Sequence, residues 1–210
     1  MAKLFFVRHG ESVANIQGIY QGQTYDTDLS QLGIKQSQAT AGEFYNGKVE
    51  QIYCSPLKRT HQTAEIIARK IGLKPKVDRR IIEINHGDWE GMPKSEIKQV
   101  FAQSYHLWKT NPSQVQMPNG ENCRDVLNRS LGFIEEMVLL DQNIIVVSHD
   151  MVIRLLLAHW KKLNIDNIWK ISLDNGGITL VSLDQPIRVE YINKDLHLQT
   201  LKGNITGQAR

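Results

Sequence analysis

An arginine and a histidine stand side by side near the N-terminus, directly after a short apolar run. The run Leu4–Val7 is rich in aromatic and branched residues, which predicts a buried strand, and Arg8 and His9 follow it. Open α/β sheets bind ligands at the carboxyl ends of such strands. A guanidinium binds phosphate oxygens and an imidazole can attack phosphorus, so this pair suits phosphate chemistry.

A second apolar run, far along the chain, also ends in a histidine. Alone, the first pair is equally consistent with a strand that simply ends in solvent, so the second run is important support. The run Ile144–Ser148 precedes His149, and residues 151–157 predict a mostly buried helix. Two parallel strands that both end in histidine bring the two imidazoles to the same edge of a sheet.

The remaining sequence predicts helices and strands that alternate along the chain. In order, these are a helix capped by Ser30 and ending at 42–46, a strand over Gln51–Cys54, a helix from about 56 to Gly72, extended pieces at 76–77 and 80–84, a helix over 122–141, a helix from 151 to about 162, and a hairpin over 177–183 and 187–193. Arg59 falls in the first turn of the second helix, where helix N-termini favour anions. The polar tail from Lys202 is expected to fray.

Composition and charge narrow the class of protein. The 210 residues carry a net charge of +3 and predict one α/β domain over residues 1–210. The slight charge gives little reason to propose nucleic acid, and the sequence contains neither a membrane-length apolar stretch nor a signal-peptide pattern. Cys54 and Cys123 lie far apart and predict two free thiols, so we expect a cytoplasmic protein.

Together, the Arg8-His9 pair, the segment Ser55–Ala64 around Arg59 and the strand that ends at His149 resemble the histidine phosphatase superfamily, in its phosphoglycerate-mutase-like branch. The resemblance covers about residues 3–198. It implies an α/β fold, a three-layer sandwich whose mostly parallel central sheet is flanked by helices, with a small cap over the site. We assign residues 92–120 to the cap, because they are the least periodic region, with a helix predicted near 95–103.

The resemblance also implies roles for the charged residues. His9 would attack phosphorus and carry the phosphoryl group, while His149 would stabilise the charge of the transition state. Arg8 and Arg59 would clamp the phosphate, because a guanidinium binds two phosphate oxygens at once. Gly10 follows His9 directly. We expect it to turn the chain sharply and to bring backbone N–H groups close to the ligand.

A carboxylic acid is needed to protonate the leaving group. In the family this acid begins a Glu-x-x-x-Gly-x-x-x-Gly loop, which here is Glu83 with Gly87 and Gly91 in register. The same carboxyl would then serve as the base for the hydrolytic water. The resemblance implies no metal and no cofactor. It implies a substrate-binding set that consists of Arg8, Asn15, Gln21, Gly22, Arg59 and His149.

Two local features leave alternatives open. Asp150-Met151 stands where the family usually has Gly-Gly. The aspartate would either disfavour anion binding by like charge or point away at a helix N-terminus, and we favour the second. We expect His86 to be a surface or packing residue, although it lies close enough to Glu83 to line the site. A metal pair of His86 with Asp88 is a weak alternative, because no recognised metal-ligand spacing supports it.

The sequence favours one function over two others. All five charged candidates are present, which disfavours a non-catalytic phosphate-binding protein. The chain is short and has Ile82–Gly91 in the form seen in phosphatase members, which disfavours a phosphoglycerate mutase. We therefore expect a metal-independent phosphatase that acts on a small phosphorylated metabolite, as a monomer or homodimer. The substrate stays open among sugar phosphates, phosphoglycerate derivatives, phosphoserine and α-ribazole phosphate.

Overall fold

The computed structural model describes residues 2–44 and 48–202, and a six-stranded sheet runs through this part of the chain. The strands are β1 (Lys3–Arg8), β2 (Gln51–Cys54), β3 (Pro75–Val77), β4 (Ile144–Ser148), β5 (Ile178–Ser182) and β6 (Arg188–Lys194). Their spatial order is β3-β2-β4-β1-β5-β6, and of these strands only β5 runs against its neighbours. The prediction of a mostly parallel sheet is confirmed.

The two central strands, β1 and β4, end side by side. Val7 pairs with Val147 and Arg8 with Ser148 in a parallel register. The next residue of each strand, His9 and His149, therefore leaves the sheet at the same edge, and the two ring centroids lie 5.3 Å apart. This is the juxtaposition that the two apolar runs predict.

Helices cover both faces of the sheet. The α-helices of the described residues are α1 (Val13–Gln17), α2 (Gln31–Gly42), α3 (Lys58–Ile71), α4 (Lys94–Val100), α5 (Ala102–Thr110), α6 (Cys123–Leu140) and α7 (Asp150–Trp160), of which α2, α3, α6 and α7 pack against the sheet. Side chains alternate along each strand, so Phe6 and Val146 pack with α6 and α7, while Val7 and Val147 pack with α2 and α3. The three-layer arrangement is thereby confirmed.

Local capping signals fix several boundaries as predicted. Ser30 Oγ accepts a hydrogen bond from Gly33 N at 3.0 Å and starts α2. Gly72 follows α3 in the left-handed conformation, with φ of 75°. Asn122 caps α6 by accepting hydrogen bonds from the backbone N–H groups of its first turn.

Other boundaries differ from the prediction. The expected helix near 95–103 is two helices, α4 and α5, because the backbone leaves helical geometry at Phe101. Helix α1, capped by Ser12, is not anticipated. Residues 80–84 are only partly extended, since Asp78 caps a 3₁₀ turn over Arg79–Ile81. The expected fraying beyond Lys202, and the last possible residues of the helix that follows Ser30, lie outside the described residues.

Two further expectations can be compared with the structure. Cys54 and Cys123 are both buried free thiols, as predicted. In the part of the chain that the structure describes, we find no helix with the length and apolar character of a membrane span.

Candidate active site

A cleft opens at the carboxyl edge of the sheet, where β1, β2 and β4 end. It is lined by the predicted residues Arg8, His9, Asn15, Gln21, Arg59 and Glu83, together with Ile19, Tyr20, His86, Trp108, Asp150, Met151 and Trp169. Two predicted residues do not line it. His149 is fully buried beneath the cleft, and Gly22 lies to one side.

The backbone holds His9 in one orientation. Its Nδ1 lies 2.7 Å from the carbonyl oxygen of Gly10, which can only accept, so Nδ1 carries the proton. This tautomer leaves the lone pair on Nε2. Burial, followed by the nearby guanidiniums of Arg59 and Arg8, holds the pKa of His9 well below its usual range. The ring is therefore neutral at physiological pH, and Nε2 has the lone pair that a nucleophile requires.

Gly10 serves a different purpose from the one expected. Its N–H donates to Thr63 Oγ1 at 3.1 Å rather than facing the cleft. A side chain at this position would collide with the carbonyl of Gly33 in α2. Gly10 is thus required for the close approach of the backbone to α2, and its carbonyl fixes the tautomer of His9.

His149 lies behind His9 and is bound by the turn that follows β2. Its Nε2 shares a 2.8 Å hydrogen bond with Ser55 Oγ, whereas its buried Nδ1 makes no hydrogen bond within the described residues. Burial, and then the charge of Arg59, lowers the pKa of His149 well below the ordinary value. A bound phosphate would favour the protonated ring, which could then donate to it.

Two guanidiniums flank the imidazoles and are almost completely buried. Arg8 Nη1 donates to the carbonyl of Leu173 at 2.6 Å. Arg59 Nη1 donates to Asp26 at 3.0 Å and Nη2 to the carbonyl of Gly22 at 3.1 Å. These bonds restrict the orientation of both guanidiniums, and both arginines line the cleft together with His9.

Glu83 brings a carboxyl group to the same cleft. Its Oε1 accepts a hydrogen bond from Ile84 N at 2.8 Å, and the Met151 amide at the start of α7 also stabilises the ionised form. Burial outweighs these donors and raises the pKa of Glu83 to about 7. A carboxyl with this pKa can both donate and accept a proton near neutral pH.

Three residues that sequence reasoning misses support the backbone of Glu83. The Glu83 carbonyl accepts hydrogen bonds from Gln23 Nε2 at 2.9 Å and from Arg129 Nη2 at 3.0 Å. Glu121 binds both donors through its carboxylate. The acid loop is thus fixed jointly by α6 and by the loop at 20–28. Glu121 precedes the cap of α6 and Arg129 lies within the helix, so no helical spacing in the sequence relates the two.

The loop at 20–28 is fastened to the acid loop by a further carboxylate. Glu90 accepts hydrogen bonds from the backbone N–H groups of Gln23, Thr24 and His86 at 2.6–2.9 Å. Gly22 has no room for a side chain, which would collide with the Glu90 carboxylate. Gly22 therefore permits this contact and offers its carbonyl to Arg59, which is a positioning role rather than a place in the cleft wall.

The side-chain amides of Asn15 and Gln21, which are predicted to bind the substrate, form hydrogen bonds within the protein. Asn15 Oδ1 accepts a hydrogen bond from Ser12 N at 3.0 Å as part of the α1 cap. Gln21 Nε2 donates to Ser12 Oγ at 2.7 Å, and its Oε1 accepts from Thr27 Oγ1 at 3.1 Å. Both side chains line the cleft in fixed orientations.

Asp150 does not point away from the site, so the favoured expectation is wrong. Its carboxylate binds Arg154 through two hydrogen bonds of 2.6 and 3.1 Å and lies 3.4 Å from Arg8 Nη1. Arg154 lies one helical turn later, a spacing at which side chains meet on a helix. The pair turns Asp150 towards the cleft, where two arginines compensate its charge.

Aromatic rings form the wall above the charged groups. We call Tyr20, His86, Trp108 and Trp169 the aromatic wall. His86 lies perpendicular to the rings of Tyr20 and Trp108, at centroid distances of 5.0 and 5.6 Å, and Trp169 Nε1 donates to the Trp108 carbonyl at 2.8 Å. His86 thus packs against neighbouring rings and also lines the cleft, as its position close to Glu83 allows.

Burial lowers the pKa of His86 to about 4, so this ring is uncharged at neutral pH. Its suggested metal partner, Asp88, instead binds Asn119 Nδ2 at 3.0 and 3.1 Å. Within the described residues, no group of three or more histidine, cysteine or acidic side chains is arranged to hold a metal ion.

Comparison with protein families and sequences gives a consistent result. A family model, that of the histidine phosphatase superfamily (branch 1), matches residues 4–191. Phosphoserine phosphatase 1 of Hydrogenobacter thermophilus is 36% identical over 187 residues, which cover 88% of each chain. The adenosylcobalamin/alpha-ribazole phosphatase of Escherichia coli is 29% identical over 87% of this chain and 91% of its own length.

Solved structures give the same picture. Bacillus stearothermophilus YhfR superposes with a TM-score of 0.91 at 25% identity, covering 95% of this chain and 100% of its own. A mycobacterial glucosyl-3-phosphoglycerate phosphatase superposes with a TM-score of 0.82 at 28% identity, covering 92% of this chain and 99% of its own.

Proposed function

This chain belongs to branch 1 of the histidine phosphatase superfamily and is a phosphoglycerate mutase-like phosphatase, and we propose that it hydrolyses small phosphomonoesters through a phosphohistidine at His9. The observation that carries the proposal is the pairing of a neutral, backbone-oriented imidazole with a carboxyl group whose pKa is raised to about 7. Such a pair supplies a nucleophile and a proton donor at the same pH.

The first half of the reaction transfers the phosphoryl group to the protein. The lone pair of His9 Nε2 attacks phosphorus, and the bond between phosphorus and the ester oxygen breaks. The departing oxygen takes the proton of Glu83 and leaves as an alcohol. Arg8 and Arg59 neutralise the charge of the phosphoryl oxygens, and His149, protonated when phosphate is bound, stabilises the transition state from behind His9.

The second half returns the protein to its starting state. Glu83, now ionised, accepts a proton from water as the water oxygen attacks phosphorus. The bond between phosphorus and His9 Nε2 breaks, and inorganic phosphate leaves. In this scheme two guanidiniums fill the place that a divalent metal takes in other phosphoryl-transfer sites, so we propose that neither a metal nor a cofactor takes part.

The substrate is a small phosphorylated metabolite, in this proposal, and its identity depends on the aromatic wall and the cap. The names of the similar proteins point to several different esters, including phosphoserine, an alpha-ribazole phosphate and a glucosyl-phosphoglycerate. Members of this family thus act on phosphate esters with different organic groups. Action in the cytoplasm, as a monomer or homodimer and as a single domain, stays a prediction.

Two assays on one preparation test the function. We expect release of inorganic phosphate from a small phosphomonoester to be much faster than interconversion of 2- and 3-phosphoglycerate, with or without priming by 2,3-bisphosphoglycerate. Turnover should also survive chelation of divalent metals. Efficient interconversion with negligible phosphate release would instead make the protein a mutase that uses the same His9 chemistry.

A further inference from the structure

Two consecutive peptide groups follow His9, and the second one carries the carbonyl that orients its ring. That carbonyl, of Gly10, accepts a hydrogen bond from His9 Nδ1 at 2.7 Å. A carbonyl turns together with its whole peptide group, because the peptide bond is planar. The tautomer of His9 therefore depends on the groups that hold the peptides His9–Gly10 and Gly10–Glu11 in place.

Two buried side chains hold the first of these peptide groups at both of its polar ends. The His9 carbonyl accepts a hydrogen bond from Asn175 Nδ2 at 2.9 Å. The Gly10 N–H donates to Thr63 Oγ1 at 3.1 Å, and this hydroxyl donates to the Arg59 carbonyl at 2.8 Å. The hydroxyl proton is thereby used, which leaves a lone pair for the Gly10 N–H. Rotation of this peptide group would break two buried hydrogen bonds at once.

A third buried side chain holds the peptide group that carries the orienting carbonyl. The N–H of this group belongs to Glu11 and donates to Gln36 Oε1 at 2.9 Å. Gln36 Nε2 donates to the Leu201 carbonyl at 2.9 Å, and since a carbonyl can only accept, this bond fixes which end of the amide faces Glu11. In a trans peptide the N–H and the carbonyl point in opposite directions, so Gln36 also aims the Gly10 carbonyl.

The three side chains come from separate elements of the fold, and we call them the peptide clamp. Gln36 lies in α2, Thr63 in α3, and Asn175 in the turn that precedes β5. That turn is attached to the end of β1, since Gly176 N donates to the Arg8 carbonyl at 2.9 Å. As far as the structure describes the chain, no side chain of the clamp lines the cleft. The clamp is therefore placed to act through the nucleophile rather than by contact with a substrate.

We propose that Gln36, Thr63 and Asn175 are positioning residues that keep the His9 ring protonated at Nδ1 and its Nε2 lone pair available to phosphorus. This inference rests on the proposed function and extends it to residues outside the cleft. A neutral imidazole has two tautomers, and the one protonated at Nε2 presents a hydrogen instead of a lone pair to phosphorus. The clamp selects the reactive tautomer by fixing the one carbonyl that binds Nδ1.

The ring nitrogens of His9 report on the clamp without any turnover. Two-bond proton–nitrogen correlation spectra distinguish a protonated from an unprotonated ring nitrogen, and His9→Ala identifies the His9 signals by their loss. We expect a single Nδ1–H tautomer in the wild type and a mixture of both tautomers in Thr63→Val. Valine keeps the shape of the side chain but leaves the Gly10 N–H buried without an acceptor, which favours reorientation of the peptide. Thr63→Ser restores the hydroxyl and should restore the single tautomer.

The rate constant of phosphohistidine formation should follow the tautomer. With saturating p-nitrophenyl phosphate, rapid quenching should give a rate constant about 10- to 100-fold lower in Thr63→Val, Gln36→Met and Asn175→Leu, as for misplacement of a reacting group. Binding of inorganic phosphate, which depends on the arginines, should change far less than this rate constant. A rate constant at saturation does not depend on the folded fraction of a preparation.

The matched control for the clamp is Thr179→Val in β5. Thr179 is a buried threonine whose Oγ1 accepts a backbone N–H, that of Asn193 at 3.1 Å, as Thr63 accepts that of Gly10. The control should change neither the tautomer nor the rate constant. An equal fall of the rate constant in the control would show a general effect of lost buried hydroxyls and would overturn the proposal. So would either readout that stays at its wild-type value in both Thr63→Val and Asn175→Leu.

Failure of the clamp can be separated from failure of the proposed function. If the wild type forms a phosphohistidine at His9 but the clamp variants keep its tautomer and its rate constant, only the clamp is wrong. If the wild type forms no phosphohistidine with any ester, the proposed function is wrong whatever the tautomer, and the role of the clamp falls with it.

Discussion

The base of the cleft and the aromatic wall above it are built by different forces. The base consists of Arg8, His9, Arg59 and Glu83, which line the cleft, together with His149, which is buried beneath them. Each of these side chains makes a directional hydrogen bond to a fixed protein group, and four of the five partners are given by backbone atoms. The wall consists of rings that pack against one another at centroid distances of 5.0–5.6 Å.

This difference separates chemistry from substrate choice. Hydrogen bonds fix atoms in position, which phosphoryl transfer requires, because misplacement of a reacting group slows the reaction strongly. Ring packing depends less on direction, so a wall of this kind can be changed without altering the base. We therefore expect variants of the base to affect every ester alike, and variants of the wall to affect esters according to their organic group.

Glu83→Gln should have the largest effect on an ester with a poor leaving group. The amide cannot donate an acidic proton, so kcat/KM for an alkyl phosphate should fall about 1,000-fold, as for loss of a general acid. The fall should be less than about tenfold for p-nitrophenyl phosphate, whose leaving group needs little protonation. Equal losses in steady-state assays of the two esters would mean that Glu83 is not the proton donor.

Arg59→Lys should lower kcat/KM about 100-fold for all esters. Lysine retains the charge but loses the two-donor fork that Asp26 and Gly22 orient. The inhibition constant of inorganic phosphate, which lacks an organic group, should rise as well. Arg188→Lys, at an exposed ion pair with Asp184, is the matched control and should change neither quantity. A loss of activity confined to one ester would contradict the expectation that variants of the base affect every ester alike.

The pH profile should show a single fall on the alkaline side. Glu83 must be protonated to act as the acid, and its pKa of about 7 means that the active form is lost as the pH rises. Between pH 7 and 9, where the ester is already a dianion, kcat/KM for an alkyl phosphate should fall roughly 50-fold. His9 adds no limb in this range, because its pKa lies well below its usual value. Persistence of the same limb in Glu83→Gln would assign it to another group.

Trp169→Phe should have the smallest effect and the most selective one. The change shortens the wall and removes the hydrogen bond to the Trp108 carbonyl. We expect KM to rise about fivefold for an ester whose organic group reaches the indole, as for loss of part of an aromatic contact. Inhibition by inorganic phosphate should change less than KM. Equal changes in the two constants would show that the wall also positions the phosphate.

The sequence predicts the base better than the wall for a physical reason. The strands that precede His9 and His149 are short apolar runs, and the end of each run in the sequence marks the end of the strand. Because the two strands pair in parallel, their carboxyl ends lie side by side. Glu83 is predicted only through the family resemblance, in which the acid begins a loop that carries two glycines in the register of Gly87 and Gly91. The rings of the wall come from four separate segments without a shared period, so no local pattern relates Tyr20 to Trp169.

The misreadings have local causes as well. Asp150 was expected to point away, because a helix N-terminus alone accommodates an aspartate. Its spacing of four residues from Arg154 was the available signal, and the ion pair with that residue decides its orientation. The break between α4 and α5 lies at Phe101. The sequence has no glycine or proline at this position, so no local signal predicts the break.

Trapping the phosphoenzyme tests the central claim most directly. Rapid quenching with a phosphorus-labelled ester, without acid, should yield a covalent phosphoenzyme that is stable in base and labile in acid, as expected for a phosphoramidate. Peptide mapping should place the label on His9, and the label should be absent from His9→Ala. A label on serine, threonine or aspartate, or turnover in His9→Ala at the wild-type rate, would contradict the account.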